Sequence, residues 1–317
     1  MGIRNWFMVD GPVLAQKIFV TTVLKPRLEP IIMGGMGLAF SQPDERWKVS
    51  RSAALTVVAP RHIEKYIWIM RQEAKNLVTR LIQSTESNGS VDPSQSLKLF
   101  ALNVMFQITC ADLILAGLDT VSVSLAWNIA VMCHHPDIQK KLAAEIDEFI
   151  KVNGHLPDLH LIVYPLRFRA TAPLGLANTT RKDIYIDGYM FPKNSSIISS
   201  MESTHMRPEL YPNPEKFNPE RFMGNTKPMK SAANGRLEDR DHYNFGWGRR
   251  ICPGIAMAEA QLFVALVEIL SRCYVEPASD GLPDIDSVIH GGLTARPFNK
   301  SILIYIKSIW PLRNILK

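Results

Sequence analysis

A chain of 317 residues can bury a sizeable core, and 46% hydrophobic against 21% charged residues is an ordinary globular composition. Thirty-six basic and thirty acidic residues leave +6, without the like-charge block of a nucleic-acid arm. The four cysteines, Cys110, Cys133, Cys252 and Cys273, include no Cys-x-x-Cys pair and no zinc-ligand spacing, which excludes a disulfide scaffold or zinc module and fits a reducing compartment.

Met1 to Asp10 carries charge and no sustained apolar run, so neither a signal peptide nor a membrane anchor is expected. Apolar spacing predicts helices over Asp44–Val57 and Ile63–Ile82, separated by Pro60, with the polar stretch Ser84–Pro93 closing the second. A further helix is expected over Gln95–Ile108, then a long, mostly buried one over Ala111–Met132, ended by His135-Pro136. Asp112 and Asp119 make that helix a poor bilayer span. Ile138, Leu142, Ile146 and Ile150 give Asp137–Lys151 one apolar face. Short strands follow at Ile184–Ile186, Tyr189–Phe191 and Ser196–Ile198, with turns at Asp187-Gly188 and Pro192-Lys193. Arg207–Asp241 reads as a structured meander anchored by Tyr211, Phe217 and Phe222, and a last strand is expected at Ser301–Ile306. The class is mainly α with a small β component.

One stretch carries most of the functional information: Phe245-Gly246-Trp247-Gly248-Arg249-Arg250-Ile251-Cys252-Pro253-Gly254. A thiol in a glycine-flanked loop ahead of an apolar helix meets free N–H groups and the positive helix end, which lower a cysteine pKa and suit metal ligation. The glycines let backbone or a flat ligand approach the sulfur closely, where a Cβ would collide. The spacing Phe-x-x-Gly-x-Arg-x-Cys-x-Gly resembles the haem-binding signature of the cytochrome P-450 family, matched at Phe245, Gly248, Arg250, Cys252 and Gly254. That resemblance implies that Cys252 ligates haem iron and that Arg250 pairs with a haem propionate.

Three further stretches resemble the same family. Ala116-Gly117-Leu118-Asp119-Thr120 looks like its oxygen-activation motif, which implies that Gly117 makes room for a diatomic ligand while Thr120 and Asp119 handle protons. On the residues alone, a small-residue helix-packing site is the other reading of Gly117. Trp47 and Arg51, at i and i+4, match the helix that reaches a propionate, and Phe217-Asn218-Pro219-Glu220-Arg221-Phe222 matches the motif whose arginine locks the meander. Ala172, Leu174 and Leu293 stand where the family places substrate contacts, and their apolar character implies a hydrophobic substrate.

Departures from the family pattern are equally specific. Tyr164-Pro165-Leu166-Arg167 stands in place of its Glu-x-x-Arg, so Arg167 is kept while Tyr164 replaces the glutamate. Proline inside a helix costs about 3 kcal/mol. Without the carboxylate, Arg167 and Arg221 are expected to lack their shared partner, worth roughly 3–5 kcal/mol if buried. The helices on either side of residues 110–111 are almost contiguous where the family has its substrate roof, and 156–162 is compressed. The expectation is one partial cytochrome P-450 domain over 1–317, with N-terminal and roof segments missing and junctions near 110–111 and 156–162.

The resemblance implies a haem-thiolate monooxygenase that inserts one oxygen atom of O2 into a hydrophobic small molecule. Haem b would be its cofactor, NADPH its electron source through a cytochrome reductase, and the cytosolic face of the endoplasmic reticulum its location in an intact homologue. The alternatives are a haem-binding but catalytically impaired fragment and a non-functional truncated product. Nucleic acid is not an expected partner. Rival enzyme classes find no motif: there is no Gly-x-Ser-x-Gly, His-Glu-x-x-His or Walker loop, and Gly34-Gly35-Met36-Gly37 lacks a dinucleotide-binding setting.

Overall fold

The computed structural model describes residues 5–21, 24–26, 38–39, 41, 43–108, 111–157, 165–222, 227–279, 281–291, 293–297 and 304–308. Gly34 to Gly37, Cys110, Tyr164 and most of 156–162 lie outside them. The chain divides into two compact units: Met1–Ala59 with Leu166–Ile255, and Pro60–Pro165 with Ala256–Lys317.

The first unit opens with β1 (Trp6–Val9), α1 (Pro12–Thr21), β2 (Leu24–Pro26) and α2 (Glu45–Val57). Asp44 starts α2 from extended backbone, its carboxylate accepting the Trp47 N–H at 2.8 Å. That cap sets the rotational position of Trp47 and, one turn later, of Arg51.

The chain then builds α3 (Pro60–Asn88), α4 (Ser94–Ile108), α5 (Ala111–His134) and α6 (Pro136–Asn153) of the second unit. α3 overruns its expected end by six residues. The Thr85 hydroxyl donates to the Leu81 carbonyl at 2.9 Å, so this polar side chain does not compete with the helix. Gly89, at φ +78°, ends it with its N–H on the Thr85 carbonyl at 2.8 Å. α5 has two characters: Val121–Cys133 is buried without interruption, whereas Ile114–Thr120 is partly exposed. The stretch Leu113–His134 is long and apolar enough to cross a membrane, a property that mostly buried core helices share. Its Trp127, 2% exposed, donates to the Ala295 carbonyl at 2.8 Å inside the second unit.

Back in the first unit come α7 (Pro165–Phe168), β3 (Asn178–Thr180), β4 (Ile184–Ile186), β5 (Tyr189–Phe191), β6 (Ser196–Ser199), α8 (Met201–His205) and α9 (Met229–Asn234). Asp187 and Gly188, at φ 49° and 80°, make the β4–β5 turn, as a two-residue hairpin of this twist requires. A four-stranded sheet runs in the order β1-β6-β3-β2, with β1 parallel to β6 from Trp6↔Ser196 to Val9↔Ser199. Its core joins Val9, Ile18, Ile197, Met201, Tyr243 and Trp247.

The second unit closes with α10 (Ile255–Leu270), β7 (Cys273–Pro277), β8 (Val288–Gly291), β9 (Thr294–Pro297) and β10 (Ile304–Ser308). β7 pairs antiparallel with β10, and β8 with β9. Leu97, Phe100, Leu125, Ile129 and Leu262 are fully buried there. The result is a mainly helical fold with small sheets.

Candidate haem-thiolate site

The cysteine loop lies entirely in the first unit and is built from nested turns. The Gly246 N–H donates to the Tyr243 carbonyl at 3.3 Å, Arg250 to Trp247 at 3.2 Å, Ile251 to Gly248 at 3.1 Å, and Cys252 to Phe245 at 2.9 Å. Trp247 anchors the loop: it is buried, stacks on Tyr243 at 5.3 Å, and donates Nε1–H to the Ser199 hydroxyl at 3.1 Å. Gly248, at φ +53°, sits so close to α1 that a Cβ would meet the Phe19 carbonyl oxygen at 2.9 Å and Val20 Cα at 3.1 Å. Gly246 also needs a left-handed backbone, at φ +78°, but its Cβ would meet nothing within 4 Å. Phe245 is half-buried and packs edge-on against His242 at 5.5 Å.

Cys252 is half-buried, and its sulfur lies 3.8 Å from where a Gly254 Cβ would stand. Burial pushes the thiol pKa up, against the Gly254 N–H and the Arg51 guanidinium, which pull it down. Of the expected influences the backbone N–H is present, and desolvation outweighs both it and Arg51.

Four residues from distant parts of the sequence converge here. Arg51 donates Nη2–H to the Ile251 carbonyl at 2.5 Å, next to the cysteine, and Arg250 donates to the Ser41 carbonyl at 2.5 Å. Both guanidinium groups lie over the Trp47 indole, at 5.4 and 4.5 Å from its centroid. Trp47 itself is buried and donates Nε1–H to the Leu38 carbonyl at 3.0 Å. Two positive charges over one indole, one of them acting on the Cys252 thiol, suit a ligand with an anionic edge and a sulfur-binding centre.

The remaining expected residues are placed separately. On α5, Thr120 donates its hydroxyl proton to the Ala116 carbonyl at 2.8 Å, and Asp119 is exposed. The side of Gly117 that lacks a Cβ faces α4, where Met105 Cγ, Sδ and Cε lie 3.0, 3.1 and 3.2 Å from the ideal Cβ position. Gly117 thus permits close packing of two helices in the second unit. In the first unit, Ala172 is half-buried and Leu174 exposed in a turn closed by the Gly175 N–H on the Ala172 carbonyl at 3.0 Å. Leu293, in the second unit between β8 and β9, is exposed.

Arg167 is 3% exposed and donates to the His205 and Pro214 carbonyls at 3.0 and 3.1 Å, with its guanidinium over Tyr211 at 5.0 Å. Burial, then the charge of Arg221, pushes its pKa down to about 10. Two buried histidines, His205 and His242, carry no signal in the sequence. His205 accepts the Tyr243 N–H at Nε2, 2.9 Å away, and burial holds its pKa well below the usual value; His242 is pushed down to about 4. A lone histidine in a sequence offers no signal for such a role.

The donor set suits haem in particular. A single thiolate such as that of Cys252 suits an iron whose other ligands come from a macrocycle. Gly254 lies against the cysteine sulfur, and the charge of Arg51 acts on it.

Comparison with known proteins agrees. The cytochrome P450 family model matches residues 7–110 and 106–300, and the chain belongs to that family. It is 33% identical to cytochrome P450 monooxygenase 231 of Postia placenta over 206 residues, 60% of this chain and 36% of that protein. It is 32% identical to cytochrome P450 2E1 of Bos taurus over 220 residues, 66% of this chain and 41% of that protein. The chain therefore spans well under half the length of these curated relatives. A zebra fish cytochrome P450 solved with progesterone shares the fold at TM-score 0.80 and 19% identity, covering 96% of this chain and 94% of that one.

Proposed function

We propose that this chain binds haem b through Cys252 and serves a haem-thiolate monooxygenase reaction that inserts one atom of O2 into a hydrophobic small molecule, with electrons from NADPH through a reductase. The observation that carries the reading is the convergence of Trp47, Arg51 and Arg250 on the Cys252 loop. Bound haem supplies a redox-active iron whose thiolate ligand favours O–O cleavage. Cys252 gives the sulfur, and the Gly254 N–H donates to it and tempers its charge. Arg51 and Arg250 neutralise the propionates, with Trp47 as their platform. Phe245 and the glycines Gly248 and Gly254 shape the loop around the cofactor.

Thr120 and Asp119 are the proton-handling pair. Because the Thr120 hydroxyl proton is committed to Ala116, its lone pairs make it an acceptor. Ala172, Leu174 and Leu293 serve as apolar substrate contacts, and Arg167 and Arg221 hold the meander. The roles of these residues follow from the family pattern. The same pattern supports a single partial domain with junctions near 110–111 and 156–162. The two family-model segments meet at 106–110, and α4 and α5 are separated only by residues 109–110. For an intact homologue the cytosolic face of the endoplasmic reticulum is the proposed location.

A second reading, haem binding with impaired turnover, is favoured by Met105 packed on Gly117 and by the Arg167–Arg221 pair, each of which donates only to backbone carbonyls among the described residues. The reduced, carbon-monoxide-bound absorption spectrum of the haem-reconstituted chain tests the proposal. A red-shifted Soret band lost in Cys252→Ser supports thiolate ligation; no bound haem refutes both readings. Reductase-dependent oxygen consumption with a hydroxylated product then separates turnover from binding alone.

A further inference from the structure

The segment from β6 to α8 sends two buried hydrogen-bond acceptors to the cysteine loop. Ser199, the last residue of β6, accepts the Trp247 Nε1–H at 3.1 Å, and His205, the last residue of α8, accepts the Tyr243 backbone N–H at Nε2, 2.9 Å away. Both lie in the first unit, at 3% and 1% exposure. The His205 bond is the more demanding. Tyr243 is buried and belongs to no helix or strand, so its N–H has no ladder carbonyl to use and relies on a side chain. A neutral imidazole holds one proton, so Nε2 accepts only with that proton on Nδ1, and burial keeps the ring neutral.

From Tyr243 the constraint runs along the loop to the sulfur. The Tyr243 carbonyl accepts the Gly246 N–H at 3.3 Å, its ring stacks on Trp247 at 5.3 Å, and the Phe245 carbonyl accepts the Cys252 N–H at 2.9 Å. His205 is itself held on two sides. Its carbonyl accepts Arg167 Nη1–H at 3.0 Å, and its ring lies edge-on to Tyr211 at 6.0 Å. The imidazole thus joins a fixed scaffold to the entry of the cysteine loop.

We propose that His205 is a positioning residue for Cys252: its ring nitrogen fixes where the cysteine loop begins, and so where the sulfur is presented. The consequence for haem rests on the thiolate reading above; the hold on the loop does not.

Hydrogen exchange followed by mass spectrometry on the haem-free full chain tests that hold. His205→Leu fills the space without an acceptor, whereas His205→Gln offers an amide oxygen near the place of Nε2. Residues 243–252 are expected to exchange about tenfold faster in His205→Leu, the effect of leaving a buried N–H unpaired, and to be restored in His205→Gln. Val121–Cys133 of the second unit should not change. An unaltered loop, equal acceleration in both units, or no rescue by glutamine would overturn the proposal. In the haem-reconstituted chain, His205→Leu should shift the carbon-monoxide spectrum from the thiolate band to that of a displaced thiolate, and His205→Gln should not; the same band ratio in both would overturn the role at the sulfur. If the unaltered chain binds no haem, the thiolate reading falls and the exchange result alone decides the positioning. If His205→Leu does not fold, 15N spectra of the unaltered chain decide: an unprotonated His205 Nε2 coupled to the Tyr243 amide supports the proposal, and a protonated Nε2 overturns it.

Discussion

Replacing Gly248 by alanine should destabilise the first unit far more than the same change at Gly246, two residues earlier. Both glycines hold a left-handed backbone, at φ +53° and +78°, which costs an L-residue about 1–2 kcal/mol. Gly246→Ala adds nothing further, because its Cβ meets no atom within 4 Å. At Gly248 the added carbon would stand 2.9 Å from the Phe19 carbonyl oxygen and 3.1 Å from Val20 Cα. Those are backbone atoms of α1, which cannot swing aside as a side-chain tip does, so overpacking of about 1–3 kcal/mol comes on top. In a unit of roughly 150 residues, 1 kcal/mol moves the melting midpoint by about 2–4 °C. Gly246→Ala should thus lower it by a few degrees and Gly248→Ala by roughly 10 °C. Tryptophan fluorescence follows the transition, since Trp247 is buried against Tyr243 in the same loop. Equal midpoints for the two variants would refute the claim that α1 braces the cysteine loop.

The buried histidines make the first unit sensitive to acid. Neutral in the folded state, His242 has a pKa of about 4 against 6.5 unfolded; its contribution is whole above pH 6.5 and disappears as pH falls toward 4, a loss of roughly 3 kcal/mol at 1.36 kcal/mol per pH unit. His205 acts in the same direction, and denaturant midpoints that stay flat between pH 7 and 4.5 would contradict the assignment. Asp44→Ala removes the cap on Trp47 and should cost about 1 kcal/mol in urea unfolding, while Asp44→Asn should cost much less. Gly117→Ala is expected to be nearly neutral: about 1 kcal/mol gained in helix propensity offsets the shift forced on the flexible Met105. A loss above about 3 kcal/mol there would mean that Met105 cannot move.

What the sequence made legible was local, and the physical reason is visible residue by residue. The cysteine loop could be read because its turns demand glycine at fixed offsets from Cys252, and Trp47 with Arg51 because one helical turn separates them. Which carbonyl receives Arg51 depends on Ile251, 200 positions away, and no periodicity encodes that distance. α3 runs past the end that its apolar spacing suggests for a related reason, since Thr85 can cap a turn or bond back to Leu81, and the choice rests on burial by tertiary neighbours. β1 is too short to show alternation and exists through its parallel pairing with β6.

Gly117 shows the limit most sharply. A glycine in an apolar helix announces that something must approach closely, without saying whether that is a ligand or another helix. The answer here is Met105 of α4, carried there because only residues 109–110 separate α4 from α5. Arg167 makes the converse point. Its burial and its two carbonyl partners are tertiary facts, but the excess of positive charge beside it follows from Arg221 once a tyrosine stands in place of the glutamate. Charge imbalance survives translation from sequence to structure because Coulomb forces act over several ångströms, whereas packing is decided within tenths of one.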